Sequence, residues 1–401
     1  MRREKALYIA LAAALISAPI SLAEAAPKPI VLQTGSVLPA PAGSESFIQS
    51  GKNSIFISQT TTSTANITLT AIDLSGLQSW VTVLDSGGDE VSTASTLDPM
   101  GNIWLAGSAS APLLIETSTP IVGVDNPDGV IAIESTTSRS DMKNIALWKI
   151  SPAGQLVATY LLPLQSVPYV TSLSATNSGA SIIGNIAGKP FFVSASTSGV
   201  YEKLTYLGSS KTILNSVVRS PDGSSFIFGE SSETLGGKKV AGLRDGVLLK
   251  VSKTGSISTV VRSSANGAKR SWVSSDTSLL LSGPVVSGKV IETAITKFTT
   301  KFAPTWTARY SSTGISLATT GGTNSYLAMT TKSAIPGVPM WKPSKAGLVI
   351  LTFDSKGVLK AAHSFPGLVT PLNLQFSRER GLIGLGSASD GTVMIFTLAA
   401  R

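Results

Sequence analysis

The sequence predicts an all-β fold, a seven-bladed β-propeller of four-stranded antiparallel sheets. Three observations predict it. A turn flanked by short strands recurs from end to end, as in Thr96-Leu97-Asp98-Pro99-Met100-Gly101-Asn102-Ile103-Trp104. A second unit, made of a strand, a four-residue turn and another strand, alternates with it, as in Lys149-Ile150-Ser151-Pro152-Ala153-Gly154-Gln155-Leu156-Val157. The last copy of the second unit is incomplete, while a spare strand stands near the N-terminus. Repetition at this period, with one half-repeat moved to the other end of the chain, is how a ring of sheets is written in sequence.

The chain has 401 residues. It opens Met1-Arg2-Arg3-Glu4-Lys5, continues apolar from Ala6 to Ile16, and reaches Ala23-Glu24-Ala25 after Pro19. A basic start, a short apolar core and an Ala-x-Ala site make a secretory signal peptide over residues 1–25. Cleavage after Ala25 is expected, which leaves residues 26–401 as a single propeller domain with no further membrane segment. A secreted or cell-surface location follows. Cysteine is absent, so disulfides and thiolate metal sites are excluded. Stability must come from burial.

The net charge of +9 is unevenly spread. Residues 26–200 carry six Lys/Arg against eleven Asp/Glu, and residues 201–401 carry twenty-three against ten. In a ring, sequence order is angular order. One arc should therefore be mildly acidic and the other basic, a distribution suited to an anionic partner.

The first hairpins run through Lys52-Asn53, Pro99-Met100-Gly101, Asn177-Ser178-Gly179, Pro221-Asp222-Gly223, Ser275-Asp276, Gly321-Gly322 and Glu379-Arg380-Gly381. Gly, Asn and Asp supply the positive φ or the side-chain bonds that tight turns need. The strand after each turn is apolar and often ends in Gly, as in Ile182-Ile183-Gly184 and Phe226-Ile227-Phe228-Gly229. Small residues there suit a crowded ring centre. The second hairpins run through Asp73-Leu74-Ser75-Gly76, Ser151 to Gly154, Ser196 to Gly199, Ser252 to Gly255 and Asp354 to Gly357, with a degenerate copy at Thr299-Thr300-Lys301.

The last blade lacks one strand after Thr392 to Thr397, and Ile30-Val31-Leu32-Gln33-Thr34 is spare. Pairing of that N-terminal segment, within residues 29–38, with the last blade would close the ring and remove both sheet edges. Asp98-Pro99-Met100-Gly101-Asn102-Ile103-Trp104-Leu105-Ala106-Gly107 resembles the repeat of bacterial seven-bladed propellers of the SBBP type. Ser220-Pro221-Asp222-Gly223-Ser224-Ser225-Phe226-Ile227-Phe228 resembles the turn of TolB-like and WD40-like blades. The resemblance implies a fold and frequent export. It implies no particular activity.

A blade needs about 40–45 residues. Three are longer, and the excess lies between the second and third strands, over residues 108–144, 230–245 and 330–346. Loops of this kind share one face of a propeller. They are expected to gather there and wall a cavity at the channel mouth, where binding concentrates. The candidate ligand-binding residues are Asp125 and Asp141 in the first loop, Lys238 and Arg244 in the second, and Trp341 and Lys342 in the third. Trp341, set among Pro336, Pro339 and Pro343, is either a plug tucked onto the ring or a platform for a ligand. Asp125-Asn126-Pro127-Asp128-Gly129 reads as a turn rather than a calcium loop, since it lacks the alternating oxygen ligands and distal Glu.

Catalytic and metal constellations are not evident. His363 is the only histidine and has no Gly-x-Ser-x-Gly elbow to serve. Carboxylates are sparse and mostly sit in turns, at Asp73, Asp98, Asp222 and Asp354. Asp85, Asp89 and Glu90 form the densest acidic group. No cofactor, metal or nucleic-acid partner is expected. The reading is a monomeric binding or scaffold module whose partner is a protein or an anionic cell-envelope polysaccharide. The alternative is an extracellular hydrolase or lyase, which needs a pair of carboxylates across a cleft.

Overall fold

The computed structural model describes residues 29–61, 63–110, 141–264 and 267–399. The signal segment, Asp125 and the Asp128-Gly129 turn lie outside them. The described chain forms seven small antiparallel sheets and no helix. Blade one contains Ser44–Ser50, Asn53–Thr61, Ala65–Ile72 and Gln78–Leu84, paired in that order. Blades two to six follow at 90–163, 168–206, 212–263, 268–311 and 316–364, and blade seven begins at 368. The first strand of each blade lines a common channel.

The core is split into seven layers, one at each seam between blades. Between blades one and two, Ile55, Ile67 and Leu69 meet Ile103, Leu105 and Trp148. Between four and five, Phe226 and Phe228 meet Trp272, Phe298 and Phe302. This explains why second and third strands are apolar on both faces: each faces a different seam. The seam between seven and one is thin, with Phe47 and Phe56 against Ile383 and Leu385. Arg380 reinforces it by donating to the carbonyls of Lys52, Ile72 and Asp73 in blade one.

The ring is closed by the N-terminal segment, in a different register from the expected one. Ser36–Pro39 pairs antiparallel with Val393–Leu398 as the outer strand of blade seven. Leu32–Thr34, part of the segment expected to close the ring, instead pairs parallel with Leu359–Ser364 and becomes a fifth strand on blade six. The apolar residues Ile30 and Leu32 pack on the blade-six layer, so apolar content drew the expectation to the wrong blade. Gly35 makes the crossing between the two. Its backbone runs so close to the buried Phe365 ring that a Cβ would sit 2.1 Å from it. The N-terminal segment thus fastens two blades at once. It also covers His363, whose Nε2 lies 3.0 Å from Gln33 Oε1.

The glycine expected to end several second strands lies inside them, two residues before the end, and has a specific cause. The first strand carries a one-residue bulge between Ser92 and Ala94, Val170 and Ser172, and Leu214 and Ser216. The bulge pushes a backbone carbonyl over the second strand. A Cβ at Gly107, Gly184 or Gly229 would lie 1.8, 2.1 or 2.0 Å from the carbonyl oxygens of Val91, Tyr169 and Ile213. Gly283 meets Ser271 in the same way at 2.1 Å. Crowding by a bulge within the blade, rather than crowding at the ring centre, requires glycine there.

Two outcomes follow. Gly229→Ala should lower unfolding free energy by roughly 2–4 kcal/mol, because backbone must move. Gly288→Ala, at an open turn with φ +58° and nothing within 4 Å of its Cβ position, should cost only about 1 kcal/mol. Chemical denaturation of both variants checks the pair; equal losses would refute the bulge account. A chain beginning at Ala40 should melt earlier and aggregate as concentration rises, since blades six and seven both gain open edges. Unchanged melting and solubility would refute closure by this segment.

Candidate functional site

The links between blades and the loops between second and third strands emerge on one face of the ring. The two described long loops do not reach the channel. Each turns back and packs over the outer strand of its own blade, which corrects the expected wall around the channel mouth. In blade four, Leu235 and Lys238 exchange backbone bonds of 3.1 and 3.0 Å, and Leu235 is buried against Val260 and Ile257. Arg262 of the outer strand donates to Lys238 O at 3.1 Å and to Glu233 O, and pairs with Asp245. In blade six, Val338 N bonds Ile335 O at 3.0 Å and Trp341 N bonds Val338 O at 3.1 Å. Buried apolar residues, Leu235 in one loop and Ile335, Val338 and Trp341 in the other, anchor both loops.

The candidate residues separate accordingly. Trp341 is only 5% exposed and packs with Ile335, Val338 and Leu351. It is the plug of its loop, and as a ligand platform it is withdrawn because the burial that anchors the loop covers its ring. Lys342 and Lys238 are exposed. Arg244 is partly exposed and pairs with Glu230. It also bridges to Lys269, tying the blade-four loop to blade five. Asp141 lies in blade two, before the third strand, and its Oδ1 is buried with no hydrogen-bond partner among the described residues. The structure brings Arg244 and Lys238 into one loop and sets Lys342 and Asp141 on other blades. Asp125 is outside the described residues.

Residues missed by sequence reasoning complete this face. Lys189 in blade three, Lys211 in the link before blade four, Lys239, Lys269 and Lys289 in blades four and five, and Lys332 and Lys345 in blade six are all exposed. The carboxylates beside them are engaged. Glu230 and Glu292 pair with Arg244 and Arg309. Asp245 is fully buried, accepting from Ala241 N and Gly242 N at 2.9 Å. Glu233 accepts from Ser209 N at 2.7 Å and Thr212 Oγ1 at 2.6 Å. None of these lysines makes an ion pair among the described residues, although Lys211 lies near enough to Glu233 to help hold its pKa down. The signal that could have found them is their shared place in links and second turns.

The opposite face carries the carboxylates of the first and second hairpin turns. There Asp73, Asp98, Asp222, Asp276 and Asp354 each cap their own turn through backbone N–H groups two or four residues on. Asp98 also accepts from the Trp104 indole at 3.0 Å. Burial pushes its pKa up, but the bonds from Trp104, Asn102 and Met100 outweigh that and hold it below the usual carboxylate range. These carboxylates are structural. The channel itself encloses about 580 Å³ and is lined by small polar side chains, among them Thr96, Ser172, Ser174, Ser216, Thr319 and Asn373. No group of three or more His, Cys, Asp or Glu suited to a metal ion occurs among the described residues.

No protein-family model matches the sequence, and no curated protein matches it. Among solved structures the chain is similar to the WD40 domain of coronin from Toxoplasma gondii, with 10% identity, TM-score 0.49, and coverage of 92% of this chain and 85% of that one. It is similar to the periplasmic gluconolactonase of Pseudomonas aeruginosa, with 11% identity, TM-score 0.47, and coverage of 91% and 92%. It is also similar to the β-propeller domain of the Trilobed protease from Pyrococcus furiosus, with 8% identity, TM-score 0.46, and coverage of 90% and 95%. The seven-bladed β-propeller fold rests on the strand order of the chain itself.

Proposed function

We propose that this propeller is an exported, monomeric binding module whose link-and-loop face docks on an anionic polymer of the cell envelope. One observation carries the reading. Among the described residues, the exposed lysines of that face on blades three to six make no ion pair, while most neighbouring carboxylates are spent on ion pairs and backbone caps. A rigid ring holds these charges in a fixed array. Their fields add over distances comparable with the Debye length of about 10 Å at 0.1 M salt. A repeating polyanion meets such an array at several points at once, so individually weak contacts sum.

The export step rests on the signal-like segment over residues 1–25. A protein partner with an acidic surface would use the same residues. The catalytic alternative draws less support. Asp89 Oδ1 is occupied by Ala65 N at 2.8 Å and Glu90 Oε1 by Ser86 N at 2.9 Å, so these carboxylates hold the link between blades one and two.

Retention on immobilised dextran sulfate should be strong at 20 mM salt and fall steeply toward 300 mM. Reversal of Lys238, Lys239 and Lys342 to Glu should weaken it about tenfold or more and flatten its salt dependence. Reversal of Lys52, Lys253 and Lys356 on the other face should have little effect. Equal loss from both triplets would contradict the assignment of the face.

A further inference from the structure

A cavity of about 260 Å³ lies between blades one and two. Its walls are apolar: Leu84, Ala109, Trp148, Leu156 and Leu161. Two buried polar residues, Ser110 and Glu90, stand in this lining, and Glu90 alone of them is ionisable. Glu90 is 2% exposed and lines the cavity. Its Oε1 accepts from Ser86 N and Ser86 Oγ, while Oε2 is buried and has no hydrogen-bond partner among the described residues. A carboxylate oxygen left unpaired beside an apolar space costs several kcal/mol unless something satisfies it. The Ser86 bonds to Oε1 hold the link between the blades, and Oε2 takes no part in them. The two bonds from Ser86 could be accepted by an amide.

We propose that this cavity is a binding site for a small alkylammonium ligand, with its charged head on Glu90 Oε2 and its hydrocarbon chain among Leu84, Trp148 and Leu161. The head would make a charge-assisted bond to Oε2. The Trp148 ring, which also lines the space, offers a negative π face to the same cation. Asp85 and Asp89 flank Glu90 in sequence and add negative potential at the entrance. Burial, followed by the repulsion of Asp85 and Asp89, raises the pKa of Glu90 despite the Ser86 bonds. A bound cation would reverse that cost by compensating the buried charge. A neutral alcohol of equal length would gain only the apolar contacts.

This site lies on blades one and two, away from the lysines of blades three to six, and takes a ligand of opposite charge, so the two readings stand or fall independently. Calorimetric titration of the whole exported chain with n-hexylammonium chloride and with n-hexanol tests it. Hexylammonium should bind at one site per chain, at least about tenfold more tightly than hexanol. Glu90→Gln, which keeps the shape and the Ser86 contacts, should lose that advantage and leave the hexanol affinity unchanged. Thr159→Trp, at an exposed position on the cavity rim, should block both ligands without touching the core. Absence of hexylammonium binding, or binding that neither variant alters, would overturn the proposal.

Discussion

Seven strands stand side by side around the channel, and each has one edge that no other strand pairs. An unpaired backbone group removed from bulk water is costly, so this edge is the constraint on which the ring depends. The chain meets it with side chains sent from the neighbouring blade. Ser172 Oγ and Ser174 Oγ of blade three accept the N–H groups of Val217 and Arg219 of blade four at 3.2 and 2.9 Å. Ser274 accepts Ala318 N at 3.2 Å, and Gln375 Oε1 accepts Gln49 N at 2.8 Å across the closure. Carbonyls are served in the same way: Thr93 donates to Val170 O at 2.6 Å, Thr171 to Leu214 O at 3.0 Å and Asn215 to Trp272 O at 2.9 Å. The polar channel lining is therefore first a device for joining blades.

The bulges belong to the same solution. An extra residue in the first strand turns a side chain out of the alternating pattern. Thr93, Thr171 and Asn215 are those extra residues, and they are the side chains that reach the next blade. The displaced carbonyl then excludes a side chain from the facing position, which is why glycine stands at 107, 184 and 229. Joining of blades, bulge and glycine form one chain of cause. Each inter-blade bond contributes about 1 kcal/mol, and the seven apolar layers supply the larger, non-directional part. With the seams fixed, the links and loops of one face are held in a constant array, and that array gives the lysines a collective effect.

Much of the fold was legible in the sequence because turns and alternation are local. Asp98 to Asn102 and Asp222 to Ser224 declare their turns through residues that bond their own backbone. The loop boundaries near 230–245 and 330–346 could be read from repeat length alone. The register of closure could not. Ile30 to Thr34 and Ser36 to Pro39 are both short strand formers, and only packing against Phe365 and blade six decides which closes the ring. The fate of Trp341 was likewise undecidable from its prolines, since it depends on Ile335 and Val338 filling one side of the same space. The lysine face was hidden because its members lie far apart in sequence and share only a position within the repeat. Glu90 was visible as one of three acids, but its burial was not.

The central claim is that hydroxyl and amide side chains carry the free edges of the inner strands from blade to blade. Native-state hydrogen exchange at the Arg219 amide measures this most directly, with Ser174→Ala as the comparison. The account expects slow exchange in the parent protein, close to that of amides paired within the blade, and at least tenfold faster exchange in the variant while the second and third strands of blade four keep their protection. Fast exchange in the parent protein, or exchange that Ser174→Ala leaves unchanged, would contradict it.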